Sequence, residues 1–200
     1  MDVITAINAR RAVKHFDPNH CIPQSDIDTL LSLAQRAPTA FNIQHWRLVL
    51  VQDPAQREAI RAVSWMQPQI TEASLLMVIC ADLKAWEKQP ERYWRTAPPD
   101  VREGLLSAID TYYSGRETVQ RDEAMRSCGI VAQTLMLAAQ ALGYDSCPMD
   151  LADFDEVGHL IGLPEDHAVG LLLVIGKGTR EPRPRGGALA RDEVVRLDRF

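Results

Sequence analysis

Residues 127–144 carry no charged side chain, and no other feature of the sequence limits the possible folds as strongly. The run is long enough on paper to span a bilayer. Gln133, Gln140 and Gly129 interrupt it, so it reads as a buried helix over 127–142 in a soluble protein. Ile130, Val131, Leu135, Leu137, Ala138, Ala141 and Leu142 cover more than one face, and a helix of that kind needs partners on several sides. Gly143 suits its C-terminus. With 46% hydrophobic and 24% charged residues in 200, the chain has ordinary globular proportions, and the expectation is a single domain over 1–200.

Three shorter apolar runs read as strands: 46–52 (WRLVLVQ), 75–81 (LLMVICA) and 168–175 (AVGLLLVI). The pieces 2–8, 55–63 and 153–161 read as helices, and 147–149 as a short extended piece. A further helix begins near Pro23, with Ile27, Leu30, Leu31 and Ala34 on its buried face, and Pro38 ends it. Residues 82–126 differ in character. They are dense in charge, hold Trp86, Tyr93, Trp94, Tyr112 and Tyr113, and read as exposed helices and loops. Helices and strands mix without regular alternation, which favours an α+β fold over a doubly wound parallel sheet.

The balance of charge excludes some functions. Against 22 basic residues stand 27 acidic ones, a net charge of -5 that argues against broad nucleic-acid binding. Cys21, Cys80, Cys128 and Cys147 form no C-x-x-C and no Cys/His pairing of metal-ligand spacing, so neither a metal framework nor a disulfide scaffold is expected. His15, His20, His45, His159 and His167 have no ligand spacing and read as surface or capping residues. The first residues, 1–4, lack a basic stretch followed by a long apolar one. With free thiols, that points to a reducing cytoplasm and no membrane partner.

Three segments offer chemistry. Residues 8–16 hold Arg10, Arg11 and Lys14 with no acid, which suits phosphate oxygens or, equally, a solvated basic helix end. Residues 37–46 put Thr39, Asn42 and Gln44 beside a strand, where amides suit a polar heterocycle or simply cap a turn. The tail over 177–185 carries four cations against one acid, and its prolines hold Arg183 and Arg185 extended unless the tail is merely flexible. The stretch Gly176-x-Gly178-x-x-Glu181 lacks a third glycine and leads into prolines, so it is no dinucleotide fingerprint.

Taken in order, Arg10-Arg11-x-x-Lys14-x-Phe16, Ala37-Pro38-Thr39-x-x-Asn42-x-Gln44-x-Trp46, Cys147-Pro148-Met149 and Arg183-Pro184-Arg185 resemble the FMN-dependent nitroreductase family over essentially the whole chain. Gln67-Pro68-Gln69 and the apolar helix over 127–142 are also similar to it. The resemblance implies a three-layer α+β sandwich around a mostly antiparallel sheet, in an intertwined homodimer with FMN at the subunit interface. It implies phosphate contacts from Arg10, Arg183 and Arg185, with Arg11 and Ala12 lining the same site. Lys14 is then the catalytic cation at the N1/C2 edge of the flavin, and Gln69 lies near the ring. Pro148, Met149 and Asp150 run along the flavin near N5, while Pro38, Thr39, Asn42 and Gln44 reach it from the partner subunit.

The chain departs from the pattern at Ala12, where serine is common, at His45, where proline is usual, and at Asp150-Leu151, where an acidic-Gly pair is common. The implied reaction is ping-pong transfer of a hydride from NAD(P)H through flavin N5 to a flat electrophile such as a nitroaromatic or quinone. Residues 82–126 would form its substrate-facing wall. Reduction of enones, reductive dehalogenation, flavin binding without turnover and a cofactor-free helical interaction module are the alternatives, and the last predicts a colourless protein.

Overall fold

The computed structural model describes residues 1–200. Its centre is a four-stranded sheet of β1 (Trp46–Leu50), β2 (Leu75–Asp82), β3 (Asp145–Met149) and β4 (His167–Gly176). The spatial order is β1-β2-β4-β3, and every pairing is antiparallel. All eight residues of β2 are buried, because both faces of the sheet are covered. Leu75, Met77, Ile79 and Ala81 join a core with α2 (Gln24–Ala34) and α6 (Glu117–Ala141). Leu76, Val78 and Cys80 point the other way, into a core shared with Ile60, Ile70 and Val157. Those three belong to α3 (Pro54–Ala62), α4 (Gln69–Glu72) and α7 (Phe154–Leu160). The two-residue alternation of strand side chains thus sorts one apolar run into two cores and makes three layers. Each fully buried Leu, Ile or Met contributes about 1.5–3 kcal/mol.

α2 follows its expected face: Leu30 and Ala34 are buried and Ile27 packs beside them. Short α1 (Val3–Ala9) is capped by Asp2, whose carboxylate accepts from Thr5 N at 3.0 Å. Only Ala6 of α1 is buried, and Val3, Ile4 and Ile7 lie on the surface of the single chain.

α6 corrects the sequence reading. It runs 25 residues from Glu117, ten residues earlier than the apolar run begins. Glu117, Arg121, Asp122 and Arg126 face water, whereas Gln120, Glu123 and Ala124 are buried, so a charged outer face hid a continuous helix. Along the apolar half, Cys128, Val131, Leu135 and Ala139 are buried against the sheet, while Ile130, Leu137 and Ala138 are half-buried. No helix is long and apolar enough to cross a membrane.

Where α6 crosses the sheet, β4 bulges: Ile79 pairs with Leu171 and Cys80 with Val169, which leaves Gly170 unpaired. A Cβ there would lie 3.1 Å from both Cys128 Cβ and Ile79 O. Glycine lets the helix seat at this point.

The segment over 82–126 folds as a one-turn piece at Pro90–Trp94, then α5 (Pro99–Tyr113), then the start of α6. It is less exposed than its composition suggests. Trp86, Ile109 and Tyr113 are buried with Ile43 and Ala85 in a third small core, with Trp86 stacked on Tyr113 at 5.9 Å between ring centroids. Two of the aromatic residues expected at a substrate wall are therefore interior, while Tyr93, Trp94 and Tyr112 stay partly exposed. A last short helix, α8 (Arg191–Val194), lies in the exposed tail.

Candidate active site

The two ends of the chain meet. After α1, residues 10–17 thread between β3 and the segment that follows β4. Val13 N donates to Ser146 O at 3.1 Å, Asp17 N to Lys177 O at 2.8 Å, and Thr179 N to His15 O at 3.0 Å. Gly178 makes this close approach possible. Its N–H donates to Asp145 Oδ2 at 2.9 Å, and a Cβ on it would sit 2.6 Å from that oxygen and 3.1 Å from Val13 Cγ1.

The tail then doubles back over α1. The Arg11 guanidinium donates to Arg183 O. Arg185 Nη2 donates to Arg10 O at 2.8 Å and Asn8 O at 3.0 Å, carbonyls at the C-terminal end of α1. Cations are favoured there by the helix dipole, so Arg185 both anchors the tail and adds charge to the site.

These contacts enclose a cavity of about 1010 Å³. Arg10, Arg11, Lys14, Arg180, Arg183 and Arg185 line it against one carboxylate, Glu181. In a chain of net charge -5, this is a strong local reversal of sign. Ala12 and Gln69 line it as well, so the structure brings together seven of the residues singled out in sequence. His15, Gln67, Pro68, Arg180, Glu181, Pro182, Pro184, Gly186, Gly187 and Ala188 line it too and were not singled out as site residues. Gln67 was legible as part of Gln67-Pro68-Gln69, and its partner is Gln69, whose Nε2 donates to Gln67 Oε1 at 3.0 Å.

Lys14 is exposed, and its Nζ donates to Cys147 Sγ at 3.3 Å. Burial pushes the Cys147 thiol up, and the charges of Lys14 and Arg10 work against that shift. The extended piece of β3 ends beside the cavity. Gln67 Nε2 donates to Asp150 O at 3.2 Å, Met149 is buried, and Pro148 is half-buried. None of Pro148, Met149 and Asp150 lines the cavity itself.

Pro38, Thr39, Asn42 and Gln44 are outside this cavity in the single chain. They form a separate, tightly specified loop. Gln44 N donates to Thr39 Oγ1 at 2.9 Å, and Asn42 Nδ2 donates to Tyr93 O at 3.2 Å. Trp94 Nε1 donates to Phe41 O at 3.0 Å. Phe41, Asn42 and Gln44 have φ values of 52°, 57° and 52°. Left-handed backbone at non-glycine residues costs of order 1–3 kcal/mol each, and such strain gathers at functional sites.

His45, in the same loop, is not a surface residue. It is fully buried, and Nδ1 lies 3.2 Å from Ser127 Oγ. Ser127 donates its hydroxyl proton to Glu123 O at 2.7 Å, so His45 Nδ1 carries the proton and Nε2 is left without a partner. Burial lowers its pKa to about 4; Glu123 and Asp82 oppose that shift and Arg47 adds to it.

At the far end of the sheet, Asp82, Asp166 and His167 bring ligand-type atoms within 4.8 Å of one another. Cations already occupy both carboxylates. Arg47 lies 2.8 Å from Asp82, and Lys88 lies 2.9 Å from Asp82 and 2.6 Å from Asp166. This is an ion-pair network that ties the ends of β1, β2 and β4, and it accounts for the buried Asp82 without a metal.

A sheet covered on both faces, with cations from both chain ends around a cavity at one side, is an architecture shared with a known family. The family model described as "Nitroreductase family" matches residues 7–177, and the chain belongs to that family. Protein DrgA of Synechocystis sp. (strain ATCC 27184 / PCC 6803 / Kazusa) is 49% identical over 181 residues, covering 90% of this chain and 86% of that protein. YodC of Bacillus subtilis (strain 168), which bears an NAD(P)H nitroreductase name, is 30% identical over 184 residues, covering 90% and 91%. Among solved structures, a nitroreductase in complex with FMN from Exiguobacterium sibiricum 255-15 superposes with a TM-score of 0.90 at 26% identity, covering 98% of this chain and 97% of that one.

Proposed function

We propose that this protein is an FMN-dependent oxidoreductase that moves a hydride from NAD(P)H to a flat electrophilic acceptor such as a nitroaromatic or quinone. The chain is an oxidoreductase of the nitroreductase family, with FMN as cofactor and NAD(P)H as electron donor. The observation that carries the reading is the convergence of Arg10, Arg183 and Arg185, from opposite chain ends, on one cavity.

The residues present fit FMN. Six cations suit a dianionic phosphate, and the Gln67 and Gln69 amides both donate and accept, as a pyrimidine edge requires. The volume of about 1010 Å³ is at the top of the range for small-molecule sites and leaves room for a second planar molecule. When bound, FMN would supply the two-electron redox chemistry, and the protein's own residues would bind and orient it.

The protein's part is binding and electrostatics. Arg10, Arg183 and Arg185 gather the phosphate, and Arg11 and Ala12 line its approach. Lys14 is the cation for the N1/C2 edge, where charge develops on reduction; its amine is held near Cys147 before any substrate arrives, and such preorganisation strengthens its effect. Gln69 addresses the ring, and Pro148, Met149 and Asp150, which lie behind the cavity lining at the end of β3, are assigned to the side near N5.

Pro38, Thr39, Asn42 and Gln44 are assigned to the FMN of a partner subunit. Exposed apolar side chains support that homodimer: Val3, Ile4 and Ile7 on α1, and Leu189, Val194, Val195, Leu197 and Phe200 in the tail. Residues 82–126 keep Tyr93, Trp94 and Tyr112 available to stack on an acceptor.

The test is a visible spectrum of the purified protein, followed by anaerobic addition of NAD(P)H. The expected result is a yellow protein with flavin bands that bleach on addition and return when a quinone or nitroaromatic is supplied. A colourless protein that takes up no FMN would refute the assignment. A yellow protein that no nicotinamide reduces would refute turnover alone.

A further inference from the structure

The loop assigned above to the partner's flavin borders a second depression, of about 350 Å³, lined by Ile43, Gln44, Arg47, Arg92, Tyr93 and Arg95. Three guanidinium groups line it, and no carboxylate does. Arg47 is spoken for: Nη2 pairs with Asp82 at 2.8 Å, and Nη1 donates to Gln44 O and Trp46 O. Arg92 and Arg95 make no ion pair. Arg92 is nevertheless held in place. Its Nη2 donates to the Tyr93 hydroxyl at 2.7 Å, its guanidinium carbon lies 4.9 Å from the Tyr93 ring centroid, and that hydroxyl donates onward to Ala85 O at 2.8 Å. Two unneutralised arginines, one of them preorganised, beside an aromatic ring and an amide form an arrangement suited to a phosphate with its attached sugar.

The same depression is coupled to the strained loop. Asn42 Nδ2 donates to Tyr93 O and Trp94 Nε1 to Phe41 O, so the arginine-bearing turn at Pro90–Trp94 and the left-handed residues Phe41, Asn42 and Gln44 form one piece. We infer that Arg92 and Arg95 form a phosphate subsite for the nicotinamide donor, adjoining the flavin face to which Gln44 is assigned. This rests on the flavin reading. The phosphate is either the 2′-phosphate of NADPH or the pyrophosphate common to NADPH and NADH, and the two sources are separable.

The experiment measures calorimetric binding of adenosine 2′,5′-bisphosphate and of adenosine 5′-diphosphate to the FMN-loaded protein and to its Arg92→Gln/Arg95→Gln variant. The variant is expected to lose roughly tenfold or more in affinity, the scale of one charge-assisted hydrogen bond. Loss confined to the 2′,5′-bisphosphate places the 2′-phosphate in the subsite; loss for both nucleotides places the pyrophosphate there. The KM for the matching donor rises in parallel.

Affinities within twofold of wild type, or wild-type protein that binds neither nucleotide, would overturn the inference. So would a drop in FMN affinity in the variant, because the arginines would then belong to the cofactor's own phosphate. Wild-type protein that takes up no FMN defeats the flavin reading instead, and its spectrum shows this before any nucleotide is added.

Discussion

At the scale of single residues, His45 shows how a departure from the family pattern acquires a measurable consequence. Its imidazole is buried, donates through Nδ1 to Ser127, and leaves Nε2 unpartnered. A proton added there would be buried without a hydrogen-bond acceptor, and burial accordingly holds the pKa at about 4 against an ordinary 6.5. The unfolded chain takes up this proton as pH falls below 6.5, and the folded chain does so only near 4. Unfolding therefore binds a proton inside that window, and stability falls as pH falls through it; above 6.5 the residue has no effect on the pH dependence. The loss across the window is about 3 kcal/mol at 1.36 kcal/mol per pH unit. His45→Gln keeps a polar group toward Ser127 but does not titrate. Urea unfolding at pH 7 and pH 4.5 should show wild type losing more stability on acidification than the variant. Parallel acid limbs would remove His45 as the cause.

At the scale of elements, the strands were legible because their apolar runs have few other uses, and β2, β4 and the core of β1 lie where the runs lie. α6 was half legible. Its last turns are uncharged, but Glu117, Arg121, Asp122 and Arg126 on its outer face broke the pattern, although Gln120, Glu123 and Ala124 continue the buried stripe. Four-residue α4 is too short for any periodicity to show, and it exists because Ile70 is packed under β2. What no run of residues could reveal is the junction that positions the candidate site, where Gly178 follows β4 and lies against Asp145 of β3. A methyl group on Gly178 must displace the carboxylate that accepts its own N–H. Gly178→Ala should cost about 1–2 kcal/mol through that lost hydrogen bond and the forced shift. Because the tail leaves from this point, FMN affinity should weaken with it, read as a higher Kd in a fluorescence titration. Melting and titration curves that match wild type would show that the tail is positioned by Arg185 and Arg11 instead.

At the scale of the whole molecule, the candidate site was readable only as an ordered set. Arg10 and Arg185 are as far apart in sequence as the chain nearly allows, and only the threading of residues 10–17 between β3 and the tail makes them neighbours. Pro38, Thr39, Asn42 and Gln44 stay apart from them because a single chain does not bring that loop to that cavity. The surface left over carries a set of exposed apolar side chains. Beyond the cavity the tail exposes Leu189, Val194, Val195, Leu197 and Phe200, and α1 exposes Val3, Ile4 and Ile7. Apolar side chains exposed in this way along a charged tail are stabilised when a second copy covers them. The protein should therefore behave as a dimer at micromolar concentration, with a melting temperature that rises with protein concentration, as linkage requires. Removal of residues 189–200 leaves the cations of the cavity in place but strips five apolar side chains from the surface. The shortened chain should sediment as a monomer with a concentration-independent melting temperature. If the loop carrying Asn42 and Gln44 serves the partner's cavity as proposed, the shortened chain should also bind FMN more weakly. A full-length chain that sediments as a monomer would defeat the dimer; a shortened chain that remains a dimer would move the interface from the tail to α1.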